Sequence, residues 1–191
     1  MFTFSNKTVK EFIETLDSSG GVSKSNKFIF RSYWGFRDST SGNSKSANTR
    51  KIEFLCKSVS IPEISISTFE SSNFRPVTKL PYTSINNDFT ATFIVTNDMN
   101  VRNYFLDWID NVVGKQQASP ELNNSVNYFD DYASQVDITV YSDNGEYARR
   151  FLFFDVYPIS VGELSLGYDN ENTVLEMPVT FTYRFATEND L

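Results

Sequence analysis

From Leu175 to Phe185 every second residue is apolar: Leu175, Met177, Val179, Phe181, Tyr183 and Phe185 alternate with Glu176, Pro178, Thr180, Thr182 and Arg184. A period of two kept over that length predicts one β-strand with a buried face and a wet face, because a helix would scatter those side chains around its axis. Shorter runs repeat the pattern. Residues 27–33 place Phe28 and Phe30 on one face, and Ile52, Phe54 and Cys56 alternate with Lys51, Glu53 and Lys57, predicting a second strand paired with the first. Residues 87–96 set Phe89, Ala91, Phe93 and Val95 against Asp88, Thr90, Thr92 and Thr96. Val136, Ile138 and Val140 open a further strand, which turns at Asp143-Asn144-Gly145 and returns over residues 147–156.

Two segments carry the helical period instead. Val9, Phe12, Ile13 and Leu16 fall at i, i+3, i+4, i+7, with Ser5 or Asn6 as cap and Gly20-Gly21 as stop, so residues 1–24 read as an N-terminal helical arm. Val101, Phe105, Trp108, Ile109 and Val112 form one stripe between a cap at Asn97 or Asp98 and a stop at Gly114. Residues 38–49, DSTSGNSKSANT, hold no large apolar side chain and read as a solvated, flexible loop. Residues 115–135 read as polar and irregular.

Residues 62–82 fit neither period. Pro62, Pro76 and Pro81 bar a central strand, yet Ile64, Ile66, Phe69, Phe74 and Val77 need cover. The segment reads as a projecting loop or hairpin whose apolar residues seek something outside their own domain. The order predicts an α+β chain, mainly β: one antiparallel barrel or sandwich with a packed amphipathic helix, as a single domain over 1–191. Its expected core is Phe28, Phe54, Cys56, Phe89, Phe93, Phe105, Trp108, Ile138, Val179, Phe181 and Tyr183.

Composition narrows the chemistry. Eighteen Phe in 191 residues supply a large core, whereas a net charge of −7 disfavours a nucleic-acid grip, which needs clustered Lys and Arg. No apolar run approaches the ~20 residues of a membrane span, and MFTFSNKTVKEF lacks the basic start and apolar run of a secretory signal. The sequons at Asn6 and Asn123 therefore read as chance. Histidine is absent, which removes the commonest general base and metal ligand, and the lone Cys56 excludes both a disulfide and a cysteine zinc site. Cys56 reads as a small hydrophobe.

Asp169-Asn170-Glu171-Asn172 has calcium-loop chemistry, but Val174 stands where an EF-hand needs glycine, so it reads as a polar turn. Asp130-Asp131 beside Tyr128, Phe129 and Tyr132 offers a sugar-binding rim; a loop anchored by its aromatics is the plainer reading. Paired carboxylates of a glycosidase stay open in principle, with no motif marking a pair. The expectation is no enzyme, no metal and no cofactor.

Three stretches together resemble the tail tube protein family of contractile-tailed bacteriophages, related in fold to the type VI secretion tube protein. They are Phe54-Leu55-Cys56-Lys57 with Ile61-Pro62; Lys79-Leu80-Pro81, DFTATFIV, and Asp98 with Arg102, Phe105 and Trp108; and ITVYSDNG, Phe154, Tyr157-Pro158, Val161-Gly162-Glu163-Leu164 and VTFTYRF. The resemblance covers roughly residues 27–185 in the family's order, and the serine-rich loop departs from shorter members. It implies a structural virion protein: a protomer of hexameric rings stacked into a tail tube, the conduit for DNA ejection, assembled in the host cytoplasm. Implied partners are copies of itself, a tail sheath protein, and baseplate and tail terminator proteins, with DNA passing unbound and no membrane. On that reading Phe69, Phe74, Pro76, Val77 and Lys79 contact the neighbouring ring, and Asp88, Thr90, Thr92, Asp137 and Thr139 line the lumen. A tube initiator or baseplate tube component of the same fold is the alternative within the family. A carbohydrate-binding β-sandwich is the alternative outside it.

Overall fold

The computed structural model describes residues 6–18, 22–35, 44–71, 77–114, 126–168 and 173–189. Its elements in chain order are α1 (Asn6–Ser18), β1 (Phe28–Ser32), α2 (Ser44–Leu55), β2 (Cys56–Val59), β3 (Ile64–Ser71), β4 (Thr78–Asn86) and β5 (Phe89–Ile94). Then follow α3 (Asn100–Val113), α4 (Phe129–Tyr132), β6 (Ser134–Tyr141), β7 (Tyr147–Val161), β8 (Glu176–Thr182) and β9 (Phe185–Asn189). All the strand pairs are antiparallel.

The strands are ordered β1-β6-β7-β8-β5-β2, with β9 also on β7 and β3–β4 as a separate pair. The long strand β7 builds the corner. Its first half pairs with β6 and β9, its second half with β8. Between the halves Asp155 takes φ 56°, a left-handed conformation that costs a non-glycine residue on the order of 1 kcal/mol or more. The bend folds the sheet over on itself, so β1 and β6 face β2, β5 and β8 across one core, with β9 exposed at the edge of the first half.

Alternation fills that core as expected. Phe89, Ala91 and Phe93 on β5 sit opposite Phe181, Val179 and Met177 on β8, all within 1% of complete burial. From the other side come Phe30, Val136, Ile138 and Phe153. The rings interlock, Phe89 against Phe181 at 5.1 Å and against Phe153 at 4.8 Å, and Phe30 edge-on to Phe93 at 5.4 Å. Helix α3 closes the core with Val101, Phe105 and Trp108 of the expected stripe and with Tyr104 beside them, while Ile109 and Val112 of the stripe are half-buried. Its start is held by the Asp98 carboxylate, which accepts the Asn100 backbone N–H at 3.3 Å, and its end by Gly114 at φ 65°. Trp108 donates its indole N–H to the Tyr132 carbonyl at 2.8 Å, tying α4 to α3.

The fold departs from the sequence expectations in three places. Residues 44–55 are helical, so Ile52, Phe54 and Cys56 do not form a strand on β1; the last of them opens β2, which pairs with β5. On the helix, Ile52 and Leu55 turn inward while Phe54 turns out and is 84% exposed, so it is no core residue. The same helix takes up residues 44–49 of the expected loop 38–49; residues 38–43 lie outside the described residues. Finally, the run from Leu175 to Phe185 is two strands, β8 and β9, broken at Tyr183-Arg184 where it follows the bend of β7. The Arg184 N–H donates to Phe154 O at 3.1 Å across that corner.

Candidate assembly surfaces

The β3–β4 hairpin stands apart from the main sheet. Every residue of β4 is exposed and most of β3 is too. Its register sets Ile64 and Ile66 on one face, and Phe69, Leu80 and Ile85 on the other. All five are between 42% and 70% exposed, so neither face has a layer over it. A two-stranded hairpin is marginal by itself, and apolar surface exposed on both faces makes it a candidate for contact with another molecule. Of the residues expected to touch a neighbouring ring, Phe69 and Val77 are exposed, and Lys79 is exposed beside Glu70 at 3.9 Å. Phe74 and Pro76 lie outside the described residues. Neighbours that the expectation omitted, Ile64, Ile66, Leu80, Tyr82 and Ile85, were legible as apolar residues flanking a proline-bearing segment.

The second surface is the outer face of β5 and β8. Thr90 and Thr92 point away from the core, opposite Thr180 and Pro178. The Thr90 and Thr180 hydroxyls approach to 3.4 Å, and Asp88 is exposed at the strand's start. Ser58 pairs with Thr92 and Ser160 with Thr180, which extends the hydroxyls across four strands. Lys57 and Glu176 meet at 2.5 Å at its border, so the charges there cancel locally.

Asp137 and Thr139, expected on the same wet wall, are buried at 1% and 2% exposure. They sit on β6, in the opposite half of the fold. Arg150 on the neighbouring strand lies over them, bonding the Asp137 carboxylate through Nη2 at 2.7 Å and Nε at 2.9 Å, and Thr139 donates to the same carboxylate at 3.1 Å. The Asp137 bond in turn holds the Arg150 guanidinium above its ordinary range. This is a closed ionic cluster, which gives a polar strand face without giving a surface.

Gly162 fixes how β7 meets β8. Its N–H donates to the Pro178 carbonyl at 2.7 Å, and a Cβ there would fall 2.5 Å from the Pro178 ring. Only glycine lets the two strands approach this closely.

For chemistry the described residues offer little. No group of three or more His, Cys, Asp or Glu among them stands ready to hold a metal ion. Burial pushes the Cys56 thiol up to about 12, so it stays protonated and unreactive. Asp130 and Asp131 are exposed on α4, whose aromatic anchor is Tyr132, 8% exposed, while Tyr128 projects into solvent at 86%. Residues 169–172, the calcium-like turn, lie outside the described residues. Among the described residues no helix is long and apolar enough to cross a membrane.

Comparison with known proteins places the architecture. Residues 27–187 match the family model of the phage tail tube protein. No curated protein sequence matches the chain. Among solved structures, a chain of the sheath–tube complex of the PVC extracellular contractile injection system, in the extended state, aligns with TM-score 0.62 and 16% identity over 99% of this chain and 100% of its own. A chain of the anti-feeding prophage baseplate aligns with TM-score 0.61 and 9% identity over 89% of this chain and 97% of its own. A chain of the PVC sheath/tube terminator follows at 0.57 and 18%, over 85% and 93%. These likenesses are of fold, whereas the family match rests on sequence and spans both halves of the folded sheet. The chain belongs to the phage tail tube protein family.

Proposed function

We propose that the chain is a structural protomer of hexameric rings, which stack into a tail tube that conducts DNA during ejection. The observation that carries the reading is the β3–β4 hairpin, with apolar residues exposed on both faces and no layer over either among the described residues. A hairpin of that kind is stable when neighbours cover it, and stacking rings supply neighbours on every protomer. Phe69, Val77 and Lys79, with Phe74 and Pro76 beside them in sequence, make the contact between rings. The role is structural, not enzymatic. A sheath protein surrounds the tube, baseplate and terminator proteins close its ends, and assembly takes place in the host cytoplasm before the tail joins the virion.

The hydroxyl-rich face of β5 and β8 then lines the lumen through Asp88, Thr90 and Thr92. Asp137 and Thr139 drop out of this wall because Arg150 covers them. DNA that must slide needs a surface without Lys or Arg, since each phosphate contact adds affinity through counterion release.

Electron microscopy of the purified protein tests the reading. Tubes are expected; rings that never stack point to an initiator or baseplate component, and monodisperse monomers overturn the reading in favour of the carbohydrate-binding module. Deleting residues 66–76 should leave a folded protomer that fails to stack. Thr90→Lys with Thr92→Lys should still assemble but slow DNA ejection, and unchanged ejection kinetics would remove these residues from the wall.

A further inference from the structure

Helix α1 carries an exposed apolar stripe, and an aromatic-lined cavity stands at the corner of the sheet. On α1, Val9, Phe12 and Ile13 form a continuous stripe that is 61%, 62% and 51% exposed. A single short amphipathic helix with its apolar side in water does not hold its own fold; packing has to supply the stability. The family match begins at residue 27, after this helix, so α1 is additional to what the family model covers. The cavity, about 320 Å³, is lined by Phe129, Tyr157 and Tyr183 with Thr182, and the Asp155–Arg184 ion pair at 3.6 Å forms its rim. Its walls are stiff: Tyr183 packs edge-on to Phe153 at 5.0 Å, Tyr157 to Tyr132 at 5.1 Å, and Asp155 is the left-handed residue at the bend of β7. The volume lies at the low end of ligand pockets, of order 300 Å³ and upward, and suits a large aromatic side chain with a neighbour.

We propose that α1 of a second copy of this chain docks here, inserting Phe12 and Ile13 into the cavity formed by Phe129, Tyr157 and Tyr183. The proposal rests on the ring reading above and names one of its side-to-side contacts. Among the described residues the stripe is exposed while the cavity stands open, and neither covers the other. Residues 19–27 between α1 and β1 span up to about 30 Å when extended, enough to cross to an adjacent protomer. The borders match in charge, because Lys10 and Asp17 flank the stripe on one side and Asp155 and Arg184 flank the cavity. Each copy offers one helix and one cavity. Such a contact is heterologous, and a closed ring satisfies every helix and every cavity.

Cross-linking tests this with rim positions that leave the apolar anchors intact. In a Cys56→Ala background, one protein carries Lys10→Cys and another carries Arg184→Cys; the two are mixed before assembly and treated with a short bis-maleimide. Cross-linked dimers are expected, and adding Phe12→Asp to the first protein should lower their yield about tenfold or more, as for loss of an aromatic anchor. Phe12 is exposed in the protomer, so an unchanged melting curve for that variant separates lost docking from lost folding. Absence of dimers overturns the proposal, as does a doubly substituted chain that yields only internally looped monomer. Tubes without the cross-link would leave the proposed function standing and sink this contact; the cross-link without rings or tubes would do the reverse.

Discussion

The β5–β8 pair and the β3–β4 hairpin are alike in backbone: two antiparallel strands with apolar side chains spaced along them. They end in opposite environments. On β5 the residues Phe89, Ala91 and Phe93 are at most 1% exposed, because β1, β6 and α3 form a second layer across them. On the hairpin Ile64 and Ile66 are 70% and 63% exposed, because no described residue forms a layer above either face. Burying one large apolar side chain is worth roughly 1.5–3 kcal/mol, so the first pair is stabilised within the chain, whereas the second, on the proposed stacking, would draw its stability from contacts outside it. Spacing decides that a segment is a strand; the layer above decides whether the strand is core or interface.

The sharpest way to break the comparison is at Phe93, fully buried and 4.8 Å from Phe105. Phe93→Ala should cost about 3–5 kcal/mol and abolish soluble expression; a soluble variant with an unchanged denaturation midpoint would show that the core does not depend on this pair. Gly162→Ala is the next largest. The new methyl must displace the Pro178 ring, and overpacking of this kind costs roughly 1–3 kcal/mol, read as a lowered melting temperature with β7–β8 amides losing exchange protection first.

Ile66→Ser with Phe69→Ser should do the opposite. Protomer stability should shift by no more than about 0.5 kcal/mol per site, while sedimentation shows loss of stacked assemblies. A large fall in protomer stability would mean that the hairpin packs on its own body.

The smallest effect is electrostatic. Lys24 at 2.8 Å and Lys27 at 2.6 Å hold the Asp143 carboxyl down from 3.8 to about 2. A depressed carboxyl adds stability above its unfolded value and loses it as the pH falls through the folded value. Asp143→Asn should therefore lower the melting temperature slightly near neutral pH, and the gap to the parent chain should close between about pH 4 and pH 2. A gap that stays constant over that range would detach the β6–β7 turn from this ion pair.

Much of the fold is legible in the chain because the period-two runs and the α3 stripe are dictated residue by residue. Three features were not. Ile52 and Cys56 are four apart, a spacing common to a helix face and a strand face, so the pattern alone did not separate them; α2 forms because Ile52 and Leu55 meet β1 and the core together. The break at Tyr183-Arg184 is set by Asp155 on the partner strand, to which the alternation from Leu175 onward carries no reference. Asp137 looked wet because it is charged, but Arg150, across the β6–β7 hairpin, covers it. Of the candidate surfaces, the hairpin was visible as apolar residues among prolines, whereas the aromatic cavity was not, since Phe129, Tyr157 and Tyr183 come from three separate stretches of the chain.

The sequence by itself determined that β5, β6 and β8 extend, that α1 and α3 are helical, that α3 stops at Gly114, and that the chain belongs to a family recognised by ordered short stretches. Those properties depend on neighbours a few residues apart, where side-chain spacing and backbone sterics act directly. The tertiary structure alone decided which faces are covered, where β7 bends, and which polar residues are sealed under a neighbour. Burial is a relation between layers brought together from distant parts of the chain, and its free energy exists only once the second layer is in place.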